Sequence, residues 1–193
     1  MRKRVGLAAL AVLAIYIVAV GTAPGRHLDV LLIRYDFGSG LLYRGAEYLL
    51  GAITWLTVGA SGLAIALWAC RRHGLGRACR ILAGLAATYL SALALSLALQ
   101  RVDPLGGEAR RVAGSGYYPS GHAAMVAALA MAVVATAPAA TRRILAVLAV
   151  AAVATVGVVI VVLNSHYPSD VLGGWALAFA WMTAAAPPWR CGD

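Results

Sequence analysis

Long apolar segments separated by short polar ones constrain this chain more than any other feature. Several of them approach or reach the roughly 20 residues that an α-helix needs to cross a hydrocarbon core. Backbone groups in lipid must be hydrogen-bonded within the protein, which favours helices. The 193 residues are 62% hydrophobic and only 12% charged, too apolar for a soluble domain. We therefore predict an all-α membrane protein.

The apolar segments predict a bundle of six transmembrane helices. They are Val5–Thr22, Tyr48–Trp68, Ile81–Leu99, Ser120–Ala137, Ile144–Leu163 and Asp170–Ala186. No tail is long enough for a second globular domain, so residues 1–193 are expected to form a single integral membrane domain. The basic start and the first apolar segment also fit a secretory signal peptide. The length of this segment and the Ala23-Pro24 pair favour a retained helix, with cleavage as the alternative.

The basic residues predict the orientation of the bundle. With the N-terminus inside, most of the 16 basic residues share one side, in Met1–Arg4, Cys70–Arg80, Arg142–Arg143 and the tail with Arg190. Loops rich in Lys and Arg stay cytoplasmic, so both termini are predicted to be cytoplasmic. This distribution accounts for the net charge of +9 without a nucleic-acid partner. We expect a bacterial plasma-membrane protein surrounded by lipid.

The three cysteines, Cys70, Cys79 and Cys191, fall on the predicted cytoplasmic side, where thiols stay reduced. Their spacing matches no metal site, and the sequence predicts neither a metal nor another cofactor. The oligomeric state is left open.

The segment Tyr117-Tyr118-Pro119-Ser120-Gly121-His122 lies where the third outer loop meets the fourth predicted helix. Ser120 suits an N-cap, and Pro119 and Gly121 suit a helix start, so a structural interpretation covers these three residues. It does not cover His122. An imidazole in the first turn of a membrane helix is a candidate for function, since ionisable groups in such helices are costly.

A second polar segment, Asn164 to Asp170, joins the fifth and sixth predicted helices. His166 and Asp170 are four residues apart, which in a helical turn puts them on one face within hydrogen-bond reach. The carboxylate would then keep one ring nitrogen protonated and leave the other free as a nucleophile. The alternative is that Asp170 or Ser169 serves as an N-cap and His166 as an interfacial polar residue.

Both segments are predicted to begin helices on the same, extracytoplasmic face. Helix starts carry unpaired N–H groups and the positive end of the helix dipole, which suit an anion. We therefore expect a phosphate to be held between the two helix starts.

The sequences PSGHAA and HYPSDVLGG resemble the second and third motifs of the type 2 phosphatidic-acid phosphatase superfamily, six-helix lipid phosphatases related to vanadium haloperoxidases. The resemblance implies that His166 is the nucleophile that forms a phosphohistidine and that Asp170 orients it. It implies that His122 is the general acid for the leaving group. Ser120 and the Gly121 amide would bind phosphate oxygens.

Two cations of the family pattern are absent. The first motif pairs a Lys with an Arg-Pro end, yet seven residues before Arg101, which resembles that end, stands Ala94. The Ser-Arg pair that opens the third motif is replaced by Val159-Ile160. Phosphoryl transfer relies on such charges.

Three arginines of the loop before PSGH are predicted to compensate by binding phosphate: Arg101, Arg110 and Arg111. A solvated loop, or one that faces lipid headgroups, is the alternative for Arg110 and Arg111.

The sequence thus predicts a metal-independent phosphatase that hydrolyses a polyprenyl or glycerolipid phosphate at the outer membrane face. The alternative, motivated by the absent cations, is a catalytically weakened family member that binds anionic lipid or a membrane partner. A transporter is a third possibility, disfavoured because the sequence shows neither an inverted repeat nor broken helices.

Overall fold

The computed structural model describes residues 2–33, 40–99, 101 and 118–185. These residues form eight α-helices and no strand: α1 (Arg2–Gly21), α2 (Ala23–Ile33), α3 (Leu41–Ala52), α4 (Trp55–His73), α5 (Leu75–Leu99), α6 (Gly121–Thr136), α7 (Ala139–Val162) and α8 (Pro168–Ala185). The prediction of an all-α fold is confirmed within this part of the chain.

Helix α8 lies at the centre and packs against α1, α2, α5, α6 and α7. Its close contact with α6 depends on Gly174, where an added Cβ would lie 2.6 Å from the Ser120 carbonyl oxygen and 3.0 Å from the Ala124 nitrogen. Both atoms are backbone, so a larger residue would push the helices apart. The contact brings the starts of α6 and α8 together.

Large apolar side chains cover the outside of the bundle, as suits contact with lipid. On α7, for example, Val147, Leu148 and Val150 are all exposed. By length and composition α5 and α7 could each cross a membrane, and the bent pairs α1–α2 and α3–α4 raise the number to four among the described residues. The count of six and the cytoplasmic termini remain predictions.

The predicted continuous helix Tyr48–Trp68 is wrong. Helix α3 ends at Ala52, α4 begins at Trp55, and the pair bends by 61°. Thr54 caps α4 by accepting the Thr57 N–H, while the Thr57 hydroxyl accepts the Thr54 N–H. Hydropathy does not register such a capping box inside an apolar run. The premise that no helix is broken, used above against a transporter, is therefore also wrong.

Part of the predicted first outer loop is helical. Helix α2 follows α1 at an angle of 85°. The hydroxyl of Thr22 accepts the Gly25 N–H, and Gly25 packs so closely that a Cβ would lie 2.1 Å from the Val18 carbonyl oxygen. A glycine is needed here because the chain folds back onto α1.

The predicted cytoplasmic loop Cys70–Arg80 is also largely helical, because α4 continues to His73 and α5 starts at Leu75. Gly74 alone makes the turn, with a φ of 84° that favours glycine. The last three predicted helices match α6, α7 and α8, although α7 starts five residues before the predicted Ile144.

Candidate active site

The local structure around His166 is set by the end of one helix and the start of the next. Asn164, with a φ of 51°, ends α7 in the left-handed conformation. Its N–H donates to the Val161 carbonyl and that of Ser165 to the Ile160 carbonyl, which is a Schellman motif. Pro168 opens α8 at the position where a missing N–H costs nothing. His166 is therefore held between two defined helix ends.

Asp170 faces His166 from the first turn of α8. Its Oδ2 lies 3.5 Å from Nδ1 of His166 and accepts the Tyr167 N–H at 2.9 Å, and the residue is fully buried. The carboxylate therefore both caps α8, from its third position, and faces the imidazole. The capping and orienting interpretations of Asp170 are compatible.

A buried ionic cluster surrounds the other carboxylate oxygen of Asp170. Nη1 of Arg101 donates to Oδ1 of Asp170 at 2.5 Å and to the Ser169 hydroxyl at 2.6 Å. Nη2 of Arg101 donates to Oδ2 of Asp29 at 2.6 Å. The guanidinium carbon also lies 4.0 Å from the centre of the Tyr167 ring. Arg101 thus joins α2 to α8 through two carboxylates.

Asp29 is the site residue that the sequence analysis missed. It lies on α2, in a segment to which the sequence assigned no site residue, and it is 4% exposed. The one available signal was a carboxylate within the apolar sequence Leu28–Ile33. Its partners lie 72 and 140 residues away, and no local pattern reports such a distance.

The start of α6 is tied directly to the start of α8. The fully buried Ser120 is the N-cap of α6, and its hydroxyl accepts the Ala123 N–H at 3.4 Å. Its own N–H donates to the carbonyl of Asp170 at 2.9 Å. This hydrogen bond brings the two sequence motifs together, as predicted from their helix starts.

Tyr118 anchors the segment that leads into Ser120. Its ring is fully buried beside Gly173, and its hydroxyl donates to the backbone carbonyl of Val12 on α1. Burial first, and the nearby Asp170 carboxylate second, raise the pKa of Tyr118 above its ordinary value. The phenol therefore stays a neutral donor and holds this segment against α1.

His122 lies beside the break between α3 and α4. Its ring is close enough to the backbone carbonyl of Ile53 and to His166 to interact electrostatically with both. In a continuous helix the Ile53 carbonyl would accept the Thr57 N–H, which donates to Thr54 instead. The break thus frees the carbonyl that faces His122.

A cavity of about 60 Å³ lies next to the same ring. Its walls include Gly121, His122 and Met125 from α6, and Ile53 and Trp55 from the break between α3 and α4. Most of the lining side chains are apolar. The carbon atoms of a ligand held beside His122 would therefore contact an apolar surface.

The expectation that both helix starts present N–H groups to a phosphate is wrong for Ser169 of α8. Its N–H donates to Oδ1 of Asp29 at 3.2 Å, and the adjoining Tyr167 N–H is taken by Asp170. Carboxylates of the protein thus accept the N–H groups at the start of α8 that were expected to be unpaired. The start of α6, with Gly121 beside the cavity, remains the candidate for phosphate.

The predicted compensating cations have different outcomes. Arg110 and Arg111 lie outside the described residues. Arg101 uses three of its five N–H groups on Asp29, Ser169 and Asp170, and the other two have no acceptor among the described residues. Ile160, in the place of the family's Arg, is buried in an apolar cluster. Within the described ranges no group of three His, Cys, Asp or Glu residues could hold a metal.

Comparison with known proteins identifies the family. The family model of the PAP2 superfamily matches residues 77–187, more than half of the chain, including both histidine motifs. The chain belongs to the PAP2 superfamily. The family resemblance seen in the two motifs is thereby confirmed.

This PAP2 member also shares its fold with a solved structure, described as the first transmembrane PAP2-type phosphatidylglycerolphosphate phosphatase from Bacillus subtilis. The TM-score is 0.79 at 19% sequence identity, over 96% of this chain and 94% of the other. No curated protein matches the sequence. The shared fold and the apolar helices establish an integral membrane protein of the PAP2 type.

Proposed function

We propose that this protein is a lipid-phosphate phosphatase. The observation that carries the proposal is the pair of His166 and the buried Asp170, 3.5 Å apart, tied by the Asp170 carbonyl to the helix start that holds Ser120 and His122. A buried carboxylate beside one ring nitrogen orients an imidazole and stabilises positive charge on it. Membership of the PAP2 superfamily supports the same conclusion.

The proposed reaction has two steps. Nε2 of His166 attacks phosphorus while Nδ1 keeps its proton, which faces Asp170. The bond from phosphorus to the leaving oxygen breaks, its electron pair stays on that oxygen, and protonated His122 supplies a proton. Water then loses a proton to His122 and attacks the phosphohistidine. The phosphorus–nitrogen bond breaks, which releases phosphate and restores neutral His166.

The phosphate oxygens are proposed to contact the Ser120 hydroxyl, the Gly121 N–H and the two remaining N–H groups of Arg101. Arg110 and Arg111 are proposed to add charge from the preceding loop. The transition state needs these donors because its negative charge is spread over three oxygens.

A lipid alcohol is the proposed leaving group. The apolar cavity beside His122 supports this, because the carbons attached to the leaving oxygen would lie there. The structural neighbour is described as acting on phosphatidylglycerolphosphate, which makes glycerolipid phosphates one candidate class. Polyprenyl phosphates are the other, and the site is proposed to face the extracytoplasmic side.

The test is phosphate release by the purified protein from a panel of polyprenyl and glycerolipid phosphates. We expect turnover of at least one lipid without added metal, and inhibition by vanadate, which mimics the five-coordinate phosphorus. Absence of turnover across the panel would refute the phosphatase proposal. Retained binding of anionic lipid in that case would instead favour the weakened, lipid-binding family member.

Replacing His122 with alanine should affect substrates unequally. We expect turnover of a lipid phosphate to fall about 100-fold or more, because general acid catalysis typically contributes that much. An aryl phosphate with an acidic phenol as leaving group should lose less, since that group departs without a proton. The comparison uses kcat/KM, which reports phosphoryl transfer to His166 and not the later step in which His122 acts as the base; equal losses in kcat/KM for both substrates would exclude His122 as the acid.

A further inference from the structure

Asp29 reaches the candidate site from outside the matched family segment. It lies on α2, which turns back at 85° from α1, and its carboxylate is buried against α8. Oδ1 accepts the Ser169 N–H at 3.2 Å, and Oδ2 accepts the Ser169 hydroxyl at 2.5 Å and Nη2 of Arg101 at 2.6 Å. One carboxylate therefore holds both the backbone of α8 and the arginine.

Through these contacts Asp29 holds the residue that directly precedes Asp170, which faces the nucleophile. Ser169 precedes Asp170, so fixing its N–H and hydroxyl fixes the first turn of α8. A carboxylate at a helix start is also favoured by the helix dipole. Because Ser169 lies in the first turn of α8, its N–H has no backbone acceptor within the helix, and the capping Asp170 accepts the Tyr167 N–H instead.

The charge of Asp29 has a second effect, which acts on the pair of Asp170 and His166. Arg101 carries one positive charge, and it is held between two carboxylates, Asp29 and Asp170. Without the Asp29 carboxylate, the net charge of the Asp29, Arg101 and Asp170 side chains would rise from −1 to 0. Asp170 would then stabilise less positive charge on the His166 ring during attack on phosphorus.

We propose that Asp29 is a positioning residue for the nucleophile: it locks Arg101 and the first turn of α8, and thereby sets the place and effective charge of Asp170 beside His166. The role rests on the phosphatase function proposed above. It makes α2 part of the active site, although α2 precedes the segment that defines the family. Asp29 makes no proposed contact with the phosphate.

Asp29→Asn tests this role, because asparagine has nearly the same shape and lacks the charge. We expect kcat for a lipid phosphate to fall about 10- to 100-fold, the range in which misplaced catalytic groups act. KM should change less than threefold, because the proposed Ser120 and Gly121 contacts with phosphate remain and Arg101 stays paired with Asp170. The matched control is Glu47→Gln, which removes an exposed carboxylate from α3 and should leave both constants unchanged.

A purely structural role for Asp29 would lower the yield of folded protein and leave kcat per folded molecule unchanged. Kinetic constants are therefore referred to the folded fraction, measured by size-exclusion chromatography in detergent. If Asp29→Asn does not fold, Ser169→Ala replaces it, because this change removes the hydroxyl between Asp29 and Arg101. We expect a smaller loss in kcat, again with little change in KM, because Asp29 keeps its contacts with the Ser169 N–H and Arg101.

An active wild type with unchanged kcat in the folded variant would overturn the role of Asp29 and leave the phosphatase proposal standing. A rise in KM without a fall in kcat would also overturn it, because Asp29 would then act on substrate binding. An inactive wild type would refute the phosphatase proposal itself, and the positioning role with it.

Discussion

Replacing His166 with alanine is expected to abolish turnover, with kcat at least about 1,000-fold below that of the wild type. The change removes the atom proposed to bond to phosphorus, and the loss of a nucleophile typically leaves only the background that binding and electrostatics supply. Phosphate release from the best lipid substrate measures it. His27→Ala, on an exposed face of α2, is the control and should retain wild-type turnover.

The same variant tests the covalent intermediate. Wild-type protein mixed briefly with a substrate labelled in its phosphate and then denatured in alkali should retain protein-bound label. That label should be lost in acid, as is usual for phosphoramidates. The alanine variant should bind no label. Labelling of the alanine variant at wild-type level would place the nucleophile elsewhere and refute the assignment of His166.

The parts of the site that were predicted from the sequence are those set by local chain geometry. His166 and Asp170 are one helical turn apart, and Ser120 directly precedes the helix that it caps, so spacing and capping preferences sufficed. The predicted topology, which put both helix starts on the same face, then paired the two segments, and the family resemblance supported the pairing. Contacts within a turn are visible in sequence because few conformations can satisfy them.

The parts that were not predicted depend on contacts distant along the chain or on breaks hidden in apolar sequence. Asp29 is recognisable only once α2 folds back onto α8, and the sequence around it is that of an ordinary interfacial helix. The break at Thr54 lies within a hydrophobic run, where average hydropathy stays high. The first feature contacts the residue next to Asp170, and the second lies beside His122.

The cations show the same division. The absence of Lys and Arg at Ala94 and Ile160 was evident from the motifs. The use of Arg101 was not, because its two carboxylate partners come from α2 and α8. A motif position identifies a residue type but leaves open which of several anions that residue contacts.

Replacing Arg101 with methionine is expected to cause the largest loss of stability. The side chain has a similar length without charge, and both Asp29 and Asp170 would lose their buried cation. Breaking a buried ion pair in this way costs about 3–5 kcal/mol. We expect a clearly lower unfolding midpoint in detergent, while Arg71→Met, at an exposed position, should change it little.

A double variant separates charge from packing in this prediction. Adding Asp29→Asn to Arg101→Met removes one of the two unpaired carboxylates. The double variant should therefore be more stable than Arg101→Met alone. If the losses simply add, the buried cluster is not held by charge. Arg101→Lys keeps the charge but loses the fork that spans two carboxylates, so it should recover part of the stability and little of the turnover.

Vanadate inhibition of Arg101→Lys then shows whether this arginine also serves the phosphate. Its contacts with Asp29, Ser169 and Asp170 leave two N–H groups. If they bind phosphate, the inhibition constant should rise together with the loss of turnover. An unchanged inhibition constant would assign Arg101 to the carboxylates alone, and the charge on the phosphate would then have to come from Arg110 and Arg111.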